Sequence, residues 1–179
     1  MQIGTRLMTV EEFWQLNLPD DKVYELVDGE VVEMSRPKLR HNSLQHRIAE
    51  LLAPVAASYG RVRIEFPFRP TPEFNLWGAD VAFVSRNRFD ASDPDDALRC
   101  SPDMVIEVES PSNTAAQLDD RETRCLATGC KEFWIVYPKR KVVRVATGET
   151  VKRYQPGDNI PLSLFPGHNI AVSDIFEGV

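Results

Sequence analysis

Cysteine is scarce in this chain: Cys100, Cys125 and Cys130 are the only three among 179 residues, and they form neither an even disulfide set nor a Cys-x-x-Cys pair. That pattern sets aside a disulfide-stapled scaffold and a zinc knuckle, and predicts structural thiols in a reducing compartment. Long apolar runs are missing as well, so nothing reads as a membrane span, and the N-terminus is polar almost at once, unlike a secretory signal. A cytoplasmic protein with no membrane association is the expectation. Positive charge is in deficit: 21 Lys and Arg against 27 Asp and Glu leave a net charge of -6, which argues against nonspecific coating of nucleic acid. Internal repeats and long linkers are absent, and 42% hydrophobic residues suffice for one substantial core, so a single domain over 1–179 is expected. No nucleophile elbow or matching Cys/His context points to a serine or cysteine hydrolase.

What the chain does have is acid inside strands. Asp80 lies in Trp77-Gly78-Ala79-Asp80-Val81-Ala82-Phe83-Val84, and Glu107 and Glu109 lie in Asp103-Met104-Val105-Ile106-Glu107-Val108-Glu109-Ser110. Both runs read as buried strands. An ionised carboxylate is costly there unless a cation, a proton or hydrogen-bond donors compensate it. Sequential strands usually pair, which puts Asp80 and Glu107 side by side, where two carboxylates can hold Mg2+ or Mn2+ through oxygen ligands. Such an ion activates a water and offsets charge building on a phosphate.

Around these strands the order of elements is clear. Thr9-Val10-Glu11-Glu12 has the form of a capping box and predicts a short helix from Val10 to about Leu16. Tyr24–Val27 and Glu30–Met34 alternate around Asp28-Gly29, a hairpin. Leu39 to Tyr59 has a helical apolar period, with Gly60 as its stop and Pro54 as a kink or early end. Strands are expected near Val62–Phe68, Ala79–Val84 and Met104–Val108, with a surface loop at Asp90–Asp96. A helix over Thr114–Thr128 is closed by Gly129, and a strand follows over Lys131–Tyr137. Val142–Ala146 and Val151–Tyr154 form a terminal hairpin, and 161–179 caps the domain. This order gives an α/β (α+β) fold, a mixed sheet flanked by helices with an N-terminal helix and hairpin added.

Two basic clusters stand out, one of Arg36, Lys38, Arg40, His41, His46 and Arg47, the other of Lys139, Arg140, Lys141 and Arg144. They read either as phosphate-holding flanks of an acidic site or as an ordinary solvated surface.

Thr9-Val10-Glu11-Glu12-Phe13, Tyr24-Glu25-Leu26-Val27-Asp28-Gly29-Glu30, His41, Asp80-Val81, Ser101-Pro102-Asp103, Ile106-Glu107-Val108, Ser110-Pro111-Ser112 and Gly129-x-x-Glu132-Phe133-Trp134-Ile135-Val136 occur in this order. Together they resemble the Uma-two family of restriction-endonuclease-like proteins, within the PD-(D/E)XK nuclease superfamily, over nearly the whole chain. The resemblance implies a restriction-endonuclease-like fold and a metal-dependent endonuclease acting on DNA, with Asp80 and Glu107 as metal ligands and Val108 lending its carbonyl. Pro102-Asp103 is a literal Pro-Asp pair, but it lies on the strand that already carries Glu107, so Asp80 is taken. Glu109 stands where the superfamily's basic residue would be, and the family's helix-borne lysine position falls on Arg121. An arginine holds its charge there but cannot give up a proton as a lysine can.

Glu25 is the better of the two hairpin acids for a catalytic part, since it is the costlier to bury. Glu109, paired with Arg121 or Arg124, is expected to support the site, with His41 and Arg40 supporting it or touching phosphate. An apolar tail from Ile160 to Phe165 and the need to cut two strands suggest a homodimer. The alternative is a catalytically degenerate nuclease-fold protein that binds nucleic acid or a protein partner.

Overall fold

The computed structural model describes residues 6–111 and 114–179. Ser112 of the Ser-Pro-Ser motif therefore lies outside the described residues. The chain opens with helix α1 (Val10–Phe13), whose capping box is complete: the Thr9 hydroxyl accepts from the Glu12 N–H, and the Glu12 carboxylate accepts from the Thr9 N–H. The hairpin of β1 (Val23–Val27) and β2 (Glu30–Met34) turns through Asp28 and Gly29, both at positive φ, as a tight two-residue turn requires. Helix α2 (Leu39–Ala56) keeps Pro54 in its last turn, and Gly60 begins the next strand instead of closing the helix.

The main sheet is built from β3 (Gly60–Phe68), β4 (Trp77–Ser85), β5 (Met104–Val108), β6 (Glu132–Tyr137), β7 (Val142–Thr147) and β8 (Val151–Tyr154), in that spatial order. A short helix α3 (Arg86–Asp90) follows β4, and the expected loop after it is tied in by Asp96, which binds the buried Arg69. Neighbouring strands are antiparallel except β5 and β6, which are parallel and joined by helix α4 (Ala115–Ala127). β5 is buried at every position, as a central strand covered on both faces must be.

One face of the sheet packs α2 through Leu44, Ile48 and Leu52 against Val81, Ile106 and Trp134. The tail, β9 (Asn159–Pro161), β10 (Asn169–Ala171) and α5 (Val172–Ile175), closes the same core with Ile160, Leu162 and Phe165. These apolar residues are satisfied within their own chain, so they supply no motive for a dimer. The opposite face packs α4 through Leu118 and Cys125 against Val105, Phe133 and Ile135. Burial raises the Cys130 thiol to about 12 and pushes the Cys125 thiol higher still, which leaves both as inert core thiols. The N-terminal hairpin joins the sheet through paired backbone bonds between Leu26 and Leu76.

One irregularity positions the site. In β3, Val62 and Ile64 pack on the α2 side but Phe66 and Phe68 on the α4 side, and in β4 Val81 and Phe83 likewise oppose Trp77 and Ala79. Both strands change faces between Ile64↔Val81 and Phe66↔Ala79 with no residue inserted. The residues at that crossing are Glu65, held at φ 48°, and Asp80. A left-handed non-glycine in a strand is costly, by roughly 1–3 kcal/mol, and such strain gathers at functional sites.

Candidate active site

His41 and Gln45 sit four residues apart on α2 and therefore share a face. Both reach Asp80: Nε2 of His41 lies 3.0 Å and Nε2 of Gln45 2.8 Å from Oδ1, and the Val108 N–H donates to Oδ2 at 2.6 Å. Burial opposes a charge on His41, but the Asp80 carboxylate outweighs it and raises the imidazole above its usual value. The same Gln45 amide donates to Glu65, which joins Glu65 and Asp80 through one fully buried side chain. Glu65 itself is exposed at the rim. Loss of water around its carboxyl raises its pKa, and the nearby Asp80 adds to this.

Glu107 falls at the position matching Asp80, one residue beyond the Val81↔Ile106 pair. Its side chain turns to α4, where Nε of Arg121 lies 3.1 Å from Oε1. The N–H is not aligned with that oxygen, so both buried atoms lack a hydrogen-bond partner. Burial pushes Glu107 well above the usual carboxylate range; Arg121 opposes this, while Asp80, Glu25 and Glu65 reinforce it.

Arg121 is held rigidly. Nη1 and Nη2 each lie 3.0 Å from one oxygen of Glu25, Nη2 also donates to the Gly78 carbonyl, and the guanidinium lies 4.9 Å from the Trp77 ring centre. Glu25 in turn accepts from the Gly78 N–H at 2.7 Å. Burial works against the charge on Arg121, yet Glu107 and Glu25 outweigh it and raise its pKa further.

The geometry therefore gathers His41 and Val108 around Asp80, and Glu25 and Arg121 around Glu107, on the adjacent strands β4 and β5. The expected pairing of Glu109 is not found: Arg121 serves Glu25 and Glu107, and Arg124 serves Asp28 and Asp120. Arg40 is exposed at the start of α2 and forms no ion pair with these carboxylates. Asp103 is bound by Arg88, Lys131 and the Ser85 N–H. Burial works against its charge, but these donors, Ser85 first, hold its pKa below the usual value. Sequence reasoning missed Glu65 and Gln45; a charged residue between Ile64 and Phe66, and a glutamine four after His41, were the available signals.

A hard cation fits the donor chemistry here. Two carboxylates come from adjacent strands, and a buried oxygen of Glu107 lacks a donor. Among the described residues no group of three or more His, Cys, Asp or Glu is gathered to hold a metal ion. Two protein carboxylates suit an ion that retains several waters.

The sheet and its flanking helices define a nuclease-type fold. A crystal structure from Anabaena variabilis described as "a putative nuclease belonging to DUF820" superposes with a TM-score of 0.80 at 18% identity, covering 94% of this chain and 97% of that one. Residues 10–173 match the Uma2 family, described as "Putative restriction endonuclease", and the chain belongs to that family. None of the curated proteins matches it. Among the described residues, no helix is long and apolar enough to cross a membrane.

Proposed function

We propose that this protein is a metal-dependent endonuclease that hydrolyses DNA phosphodiester bonds in the cytoplasm. The observation that supports the reading is the placement of Asp80 and Glu107 at matching positions of β4 and β5, one residue beyond the Val81↔Ile106 pair, with Oε1 of Glu107 buried and facing only an unaligned N–H of Arg121. Asp80, Glu107 and the Val108 carbonyl would hold Mg2+ or Mn2+, which would supply water activation and charge neutralisation at the phosphate. His41, Gln45 and the Val108 N–H fix the Asp80 carboxylate in one orientation. Arg121 offsets the charge of Glu107, and Glu25 fixes Arg121. Glu65, exposed beside Asp80, accepts the proton of the attacking water. Glu109, half-buried two residues beyond Glu107, adds negative charge at the same strand end.

A plasmid-nicking assay tests this. Wild type with Mn2+ opens supercoiled circles, and chelator or Glu107→Gln abolishes the opening. Opening that persists in chelator, or in the variant, contradicts the reading. Cutting both strands calls for two such sites, so a homodimer is part of the proposal, read by light scattering as twice the 20.3 kDa chain mass.

One observation favours the second reading, a degenerate nuclease that binds nucleic acid or a protein. Both Nη atoms of Arg121 donate to Glu25 and Gly78 and its Nε lies against Glu107, so its charge is already shared between two protein carboxylates. If wild type is inactive and Arg121→Lys gains nicking, this second reading replaces the first.

A further inference from the structure

The turn between β6 and β7 carries Lys139, Arg140 and Lys141, and Lys141 adopts a left-handed φ of 50°. Lys139 and Lys141 face one cleft, of about 310 Å³, which they share with Arg40 from α2. Arg140 faces the neighbouring cleft, of about 420 Å³, with Arg153 and Tyr137. The two basic clusters, nearly a hundred residues apart in sequence, thus meet where Arg40 joins Lys139 and Lys141 in one ridge, while Arg153, opposite Arg144, lies on the α4 face of the sheet. None of these five cations has an ion-pair partner among the described residues. Among the described residues Asp158 is the only acid lining either cleft, and it accepts a hydrogen bond from the Gln155 N–H.

This concentration matters because the chain as a whole is acidic. A protein of net charge -6 has a ready supply of carboxylates with which to neutralise surface lysines and arginines. Arg40, Lys139 and Lys141, three unpaired cations around one cleft, attract phosphate, and a polyanion engages all three at once. The ridge is also attached to the acidic site. Arg40 precedes His41, which binds Asp80; β6, which runs into the turn, carries Val136, whose carbonyl accepts from the Glu109 N–H.

We propose that the ridge of Arg40, Lys139 and Lys141 binds the phosphate backbone of duplex DNA and holds the strand beside Asp80 and Glu107. The proposal rests on the DNA-cleaving reading but fails separately from it. Its contacts are to phosphate, so it contributes affinity and register and no base specificity.

The test is fluorescence anisotropy with a 30-base-pair duplex in chelator, where no cleavage occurs, for wild type, the triple variant Arg40→Ala/Lys139→Ala/Lys141→Ala, and Arg99→Ala as a charge control. The triple variant is expected to bind at least about tenfold more weakly, equally for unrelated sequences, with the slope of log affinity against log salt reduced by about 2.7. The pair reversal Lys139→Glu/Lys141→Glu weakens binding further, while Arg99→Ala leaves the slope unchanged. Unchanged affinity and slope in a folded triple variant overturn the proposal, as does absent duplex binding by wild type or preference for single-stranded DNA or RNA. Duplex binding through the ridge with no nicking in Mn2+ upholds the ridge and defeats the cleavage reading. Nicking with unchanged binding by the triple variant does the reverse.

Discussion

Arg121 clasps both oxygens of Glu25, at 3.0 Å each, across 96 residues of sequence. This contact joins the N-terminal hairpin to α4 and at the same time places the guanidinium against Glu107. Removing one member of such a buried pair strands the other, at a cost of about 3–5 kcal/mol. Glu25→Ala should lower the unfolding free energy by about 3 kcal/mol in urea titrations of the metal-free protein. A loss below about 1 kcal/mol would mean that the pair acts as an exposed one does.

Asp103 makes a contrasting prediction. Its folded pKa lies below the ordinary 3.8, so the folded state binds fewer protons than the unfolded chain as acid is added. Its contribution is complete above pH 3.8 and is lost as pH falls through the folded value. Asp103→Asn should cost about 1.5–3 kcal/mol at neutral pH, weaken the acid dependence of stability below about pH 4, and leave nicking per folded molecule unchanged. A selective loss of nicking would return Asp103 to the catalytic set.

Glu65 tests whether backbone strain serves the site. Glu65→Gly relieves the left-handed conformation at φ 48° and gives the unfolded backbone more freedom to lose on folding, two effects of about 1 kcal/mol that nearly cancel. Stability should change by less than about 1 kcal/mol while nicking falls by at least about tenfold, because the proton acceptor is gone. Equal nicking by the variant and wild type would remove Glu65 from the mechanism.

Much of this architecture could be read in the residues because its causes are local. The Thr9–Glu12 box, the Asp28-Gly29 turn and the period of α2 each follow from short-range geometry, and the pairing of β4 with β5 follows from chain order. The place of Glu65 between Ile64 and Phe66 hinted at a role but did not give it, because its importance comes from two strands changing faces together, a property of the sheet and not of either strand. Nor could the partner of Arg121 be read: helix position gave its place, but only folding decides that Glu25 from a distant hairpin competes for it and Glu109 does not. The tail misled because its apolar residues, counted without their neighbours, looked surplus; they fill the core above α2.

The central claim is that Asp80 and Glu107 share one divalent cation. Calorimetric titration of Mn2+ into wild type and into Asp80→Asn/Glu107→Gln, each checked for intact fold by circular dichroism, addresses it directly. Wild type should bind with a saturable heat, and Mn2+ at about 100 times its dissociation constant should stabilise it by about 2.7 kcal/mol. The double variant should show neither the heat nor the stabilisation. Equal, weak binding by both proteins would contradict the account.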